Sequence, residues 1–235
     1  MLMQYLQTDF FSYPFQQQFA GIITDVPYKG CLTNKLQEQD FDVAWFLKKC
    51  DQLTPKDSFL ITFSNMAMIL DMRSLAKDTN WEFQTYQIWD KSPCRTWIAW
   101  SRPLRTCEFI LYFTKGNYKL SFKTGKQKPK VNRSSFGGKL KQTTENDREC
   151  SWEMYSEIVT FPNPKHKIHP TQKPIEFSEM FFTVVNKPSD TILDPFCGSG
   201  SLLSHISNSL GIDLVNYITP KNKSLTQFGI GVNSK

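Results

Sequence analysis

The fold this sequence predicts is an α/β protein built on a mostly parallel sheet with helices on both faces, and three observations predict it. Apolar runs bounded by turn residues recur along the chain, as strands buried on both faces require. Between them lie segments whose apolar residues fall at helical spacing. Late in the chain a strand runs directly into a glycine-bearing turn, in "TILDPFCGSG", and such turns let a ligand approach the backbone closely.

The first run, "AGIITD", reads as a buried strand with Asp25 at its C-terminal end, followed at once by Val26, Pro27 and Tyr28. "DFDVAWFLKKCDQLT" spaces Phe41, Ala44, Trp45 and Leu47 as a helix does, with Asp40 as its cap. "SFLITFSN" is a second buried strand, and "MAMILDMRSLAKDTN" a helix ending near Asn80. "WEFQTYQIWDK" alternates as a strand, and "CEFILYFTKG" is an apolar strand closed by a glycine. From Asn117 to about Pro164 the chain turns polar and basic, mixing Lys119, Lys123, Lys126, Lys128, Lys130 and Arg133 with Tyr118, Phe122, Phe136 and Trp152. A long irregular stretch of that composition reads as a nucleic-acid-contacting excursion, or else as a solvated insertion. "HPTQKPIEFSEMFFTVVN" then gives a turn and a helix with Phe177, Met180, Phe181 and Val184 on one face. In "KPSDTILDPFCGSGSLLSHISNSL" a strand from Thr191 to Asp194 enters the glycine turn and a further helix. The expected organisation is therefore one domain in three stretches, 1–116, 117–164 and 165–235.

With 235 residues, 40% hydrophobic and 21% charged, the chain has the composition of a globular protein with one full core. The net charge of +6 is compatible with a polyanionic partner, and 14% aromatic residues supply rings that stack on bases as well as filling cores. Cys31, Cys50, Cys94, Cys107, Cys150 and Cys197 form no C-x-x-C pair and no zinc spacing, so they read as reduced thiols and no metal is expected. His166 and His169 read as turn residues and His205 as a packed or surface residue. No leader-like or membrane-length apolar run is present, which leads to the expectation of a soluble, cytoplasmic protein.

Gly198 and Gly200 sit between a strand and a helix N-terminus, and Asp213 lies 19 positions beyond Asp194. Acids at about that distance grip ribose hydroxyls in nucleoside-cofactor folds. "HPTQKP", "LDPFCGSG" and the upstream D-x-P-Y strand end together resemble the β class of DNA amino-methyltransferases, whose motif is (D/N/S)-P-P-(Y/F/W). The resemblance covers nearly the whole chain apart from 117–164. It implies a Rossmann-like methyltransferase fold with a seven-stranded sheet, S-adenosylmethionine as cofactor, and double-stranded DNA as partner, of the kind found in restriction–modification. A homodimer is compatible with it and a membrane is not implied.

By the same resemblance Asp194, Phe196, Gly198 and Gly200 line the cofactor, Thr171 and Lys173 meet its methionine end, Asp9 and Asp213 contact it, and Phe196 lies beside the sulfonium. Asp25 and the Val26 carbonyl would accept the two N–H bonds of a target amine, Pro27 would stiffen the turn, and Tyr28 would stack on the base. Arg102, Arg105, Lys126, Lys128, Lys130 and Arg133 would hold phosphates. Two positions depart from the family pattern. Val26 stands where proline is usual, and the helix after the glycines is about one turn shorter than usual if Asp213 is the ribose acid; Asn233 in "GIGVN" is the alternative. Asp25 rather than serine points to adenine N6 over cytosine N4, while RNA and a catalytically inactive DNA-binding relic stay open.

Overall fold

The computed structural model describes residues 3–27, 41–91, 106–127, 152–186, 188–215 and 217. Among them, strands and α-helices follow in the order β1 (Gln4–Gln7), β2 (Gly21–Asp25), α1 (Val43–Gln52), β3 (Ser58–Ser64), α2 (Met66–Leu75), β4 (Glu82–Asp90), β5 (Cys107–Lys115), β6 (Lys123–Gln127), β7 (Trp152–Met154), β8 (Ile158–Thr160), α3 (Glu176–Val184), β9 (Ile192–Asp194) and β10 (Ser209–Asp213), with short 3₁₀ turns at Ala76–Asp78 and Ser201–Leu203. The main sheet runs β1-β10-β9-β2-β3-β5-β4-β8, and every neighbouring pair is parallel except those of β5, which is antiparallel to β3 and β4. The mixed, mostly parallel sheet is the one expected. It has eight strands among the described residues rather than seven, because β8, inside the basic excursion, adds to the edge beside β4. β6 and β7 pair separately as an antiparallel ribbon.

The strands alternate their side chains between two cores. Ile23, Phe59, Ile61, Phe63, Ile110 and Tyr112 enter the core that also holds Phe177, Met180, Phe181 and Val184 of α3. Ile22, Leu60, Leu111, Phe113 and Leu193 enter the other, with Phe46 and Leu47 of α1 and Met68 and Met72 of α2. Burial on both faces explains why β2 and β3 read as unbroken apolar runs. Each such side chain contributes about 1.5–3 kcal/mol on leaving water.

Helix α1 begins one residue pair later than its expected cap: Asp42, not Asp40, accepts the Trp45 N–H at 3.0 Å. Asp40 lies outside the described residues. Asn65 caps α2 in the same way, accepting from Met68 N–H at 3.0 Å. The helix expected after the glycine turn is a single 3₁₀ turn, Ser201–Leu203, before the chain heads into β10. Serine and asparagine, which crowd this stretch, compete with the backbone for its own hydrogen bonds.

From β2 the chain proceeds to β3 on one side, while β9 leads to β10 on the other. The order therefore reverses between β2 and β9, and open α/β sheets bind ligands outside the carboxyl ends of strands at such a point. Asp25 ends β2, Asp194 ends β9 and Asp213 ends β10.

Candidate active site

Two hydrogen-bonded groups at that reversal come from the strand ends themselves. The Thr24 hydroxyl donates to Asp194 Oδ1 at 2.7 Å, tying β2 to β9, and the Phe196 N–H donates to the same oxygen at 3.1 Å. Asp194 is wholly buried, and its Oδ2 has no hydrogen-bond partner among the described residues. Burial pushes its carboxyl up to about 8; the bonds from Thr24 and Phe196 pull the other way, and the nearby Asp25 and Asp213 add to the rise.

The glycine turn that follows is shaped by its backbone. Gly198 (φ 49°) and Gly200 (φ 73°) both adopt the left-handed conformation that favours glycine. A Cβ on Gly198 would also lie 3.2 Å from the His169 ring. Asp213 fastens the turn: its Oδ2 accepts the Gly198 N–H at 2.9 Å and its Oδ1 accepts from Val215 N–H at 3.0 Å. Asp9, at the end of β1, accepts the N–H groups of Phe11 and Ser12 at 3.2 and 3.0 Å and so closes the next turn. Phe196 packs within a cluster of Phe10, Phe11, Phe41 and Phe46, with ring centroids 5.7–6.1 Å away.

His169 was expected only to shape a turn, yet it lies on the glycine turn, edge-on to Tyr217 at 4.5 Å. Its Nδ1 is 3.1 Å from the Thr171 hydroxyl. Burial lowers its pKa, partly opposed by Asp213 and Asp25. Its place at the head of "HPTQKP" was the available signal.

Lys173 is expected at the cofactor's methionine end, and the structure pairs it with the other half of the site. Its Nζ donates to Asp25 Oδ2 at 2.5 Å and lies 3.0 Å from Glu108 Oε2, while Glu108 Oε1 is 2.9 Å from Lys91. The Lys173 side chain is 4% exposed. Burial alone would lower its pKa, but Asp25 and Glu108 outweigh burial and raise it. Burial would likewise raise the Glu108 carboxyl, and Lys173 and Lys91 overcome that and hold it low. Four charges thus alternate in sign, which is how charges survive away from water.

Val26 is 2% exposed and belongs to the core shared with α1 and α2. Its turn is therefore anchored by packing where the family pattern uses a proline ring. Tyr28, Arg102, Arg105, Lys128, Lys130, Arg133 and Asn233 lie outside the described residues, and of Lys126 only the backbone, in β6, is described. A separate cleft of 1360 Å³, lined by residues including Asp51, Arg73, Lys77 and Lys115, opens at the opposite end of the parallel strands and holds none of the predicted site residues.

The sheet order, the reversed β5 and the acid-and-glycine mouth define the Rossmann-like fold of the S-adenosylmethionine-dependent methyltransferases. The DNA methylase family model N6_N4_Mtase matches residues 19–218, and the chain belongs to that family. The type II methyltransferase M.HpaI of Haemophilus parainfluenzae is 27% identical over 210 residues, covering 82% of this chain and 63% of the relative. The chain thus spans less than two thirds of that relative's length. The crystal structure of the M1.HpyAVI–SAM complex superposes with a TM-score of 0.65 at 19% identity, over 98% of this chain and all of the other (100%). The cytosine-N4-specific PvuII DNA methyltransferase does so with a TM-score of 0.63 at 13% identity, over 97% and 94% of the two chains. Both likenesses are of fold.

Proposed function

We propose that the protein is an S-adenosylmethionine-dependent DNA methyltransferase that modifies the exocyclic N6 of an adenine turned out of the duplex. The observation carrying this reading is the Asp25 carboxylate at the mouth of β2, one residue from the Thr24 that holds Asp194 of β9. The residues suit the cofactor. Asp194 Oδ2, without a partner among the described residues, fits the cationic amino group of a methionine moiety, and the left-handed Gly198 and Gly200 keep the turn free of side chains. Asp194 and the glycine turn would hold that end, with Asp213 beside the turn for the ribose hydroxyls. When bound, S-adenosylmethionine supplies an electrophilic methyl group on a sulfonium.

The target amine is a poor nucleophile because its lone pair is conjugated with the ring. Asp25 accepts one of its N–H bonds and the Val26 carbonyl the other, favouring the pyramidal nitrogen that can attack. The buried Val26 side chain keeps that carbonyl in place. Tyr28 stacks on the extruded base, offsetting about 1–3 kcal/mol of the few kcal/mol that unstacking costs. A sulfonium leaving group needs no protonation and the surplus proton of the methylated nitrogen passes to water, so these residues work by positioning and electrostatics. Aspartate at position 25 favours adenine over cytosine within this family.

The test is to incubate the protein with S-adenosylmethionine and mixed-sequence duplex DNA, digest to nucleosides and analyse by mass spectrometry. N6-methyladenine supports the reading. N4-methylcytosine would keep the clamp and overturn the base assignment, and a DNA-bound protein that methylates neither would be the relic.

A further inference from the structure

Lys173 reaches Asp25 from the loop before α3, and what steadies it comes from β3, β4 and β5. An ammonium is a point charge with rotatable donors on a flexible stem, so one carboxylate does not fix its position. Here the Phe63 ring lies 4.8 Å below Nζ and the Trp89 ring 5.9 Å away, both from the floor of the sheet. Glu108, near the start of β5, gives Nζ a second carboxylate at 3.0 Å. Lys91, just past β4, holds the other Glu108 oxygen at 2.9 Å. The Asp25, Glu108 and Lys91 side chains are 15%, 19% and 15% exposed against 4% for Lys173, so the ammonium is the buried link of the chain of charges.

We propose that Glu108, backed by Lys91, is a positioning residue for Asp25 and acts through Lys173. This rests on the reading that Asp25 accepts the target amine. Glu108 fixes where Lys173 stands, and Lys173 fixes the direction and the charge of the Asp25 carboxylate. On this account Lys173 serves the amine clamp rather than the cofactor. Among the described residues, the ionisable groups around Lys173 include Asp25 from β2, Asp194 from β9, Glu108 from β5, Lys91 after β4 and His169 from the same loop as Lys173.

The experiment compares full-length wild type with Glu108→Gln, Lys91→Gln and Lys173→Met. Single-turnover methyl transfer from tritiated S-adenosylmethionine to saturating duplex DNA is followed against pH, and cofactor affinity is measured separately by calorimetry. Glu108→Gln should slow transfer about tenfold to a hundredfold, the scale of a misplaced reacting group, with cofactor affinity unchanged. Lys91→Gln, one charge further from Lys173, should slow it less and keeps the test available if Glu108→Gln does not fold. Lys173→Met should move the acid limb of the rate profile to higher pH, because Asp25 loses the cation that favours its charged form; a purely structural role would leave that limb in place. A wild-type rate in Glu108→Gln and Lys91→Gln would overturn the proposal. So would a loss in Lys173→Met confined to cofactor affinity, which would return that lysine to the methionine end. Absence of methyl transfer in the wild type would remove the underlying reading, and the proposal with it.

Discussion

Binding of S-adenosylmethionine at neutral pH is expected to drive a proton from Asp194. One oxygen of that carboxyl takes the Thr24 and Phe196 bonds at 2.7 and 3.1 Å, and the other is buried without a partner among the described residues. Burial pushes the group up to about 8, so at pH 7 roughly 0.9 of a proton is bound per site. A cationic amino group brought against Oδ2 favours the charged form, and the proton leaves. His169 adds little, since burial already keeps it neutral at that pH. Calorimetry in buffers of different ionisation enthalpy reads the released proton directly. About 0.9 proton at pH 7 should shrink to about 0.1 near pH 9, and Asp194→Asn should show none. A binding enthalpy that is independent of buffer at pH 7, or equal proton release in Asp194→Asn, would refute the assignment. The stability corollary follows from the sign. A carboxyl raised in the folded state contributes most below its ordinary value, and that contribution is lost as pH rises through about 8. The cofactor-free protein should therefore melt lower at alkaline pH, and saturating cofactor should narrow the difference.

Three other outcomes are expected. Gly198→Ala places a side chain at φ 49° and 3.2 Å from His169; the conformation alone costs about 1–2 kcal/mol, and a turn that shifts to relieve it should lose cofactor affinity by about five- to thirtyfold in a fluorescence titration. Val26→Ala removes two buried carbons, and about 2 kcal/mol should disappear from urea denaturation, together with a slower methyl-transfer step as the clamp turn loosens. Affinity for DNA should fall by about 10³ or more between 50 and 200 mM salt if six or more of the basic residues meet phosphates, and a flat salt dependence would remove Arg102, Arg105 and the lysine series from that role.

What was legible in the sequence was what local pattern encodes. β2 and β3 read as strands because both faces are buried, and α3 because Phe177, Met180, Phe181 and Val184 fall on one face. β1, "QYLQ", has no buried residue to mark it, and β8 buries only Val159 of its three residues, so pairing with neighbours rather than pattern makes them strands. The serine-rich stretch after Gly200 carries leucines at helical spacing, yet it completes one 3₁₀ turn before β10 begins at Ser209. The acids and glycines of the mouth were legible because motif and strand end coincide. Glu108 and Lys91 were not, because what unites them with Lys173 is the antiparallel return of β5 beside β4. His169 stood inside a recognised motif, but its contact with Gly198 exists only once the loop before α3 folds over the glycine turn.

The most direct test of the whole account is methyl transfer by Asp25→Asn, which keeps the side-chain shape and removes the carboxylate charge. Tritiated S-adenosylmethionine and duplex DNA would be given to wild type and variant, with cofactor and DNA binding measured on the same preparations. The account predicts transfer to adenine N6 by the wild type, and loss of about 10² or more in rate for the variant with both binding steps kept. Equal transfer by the two proteins would contradict it, because the amine would then be activated by something other than the carboxylate at the end of β2.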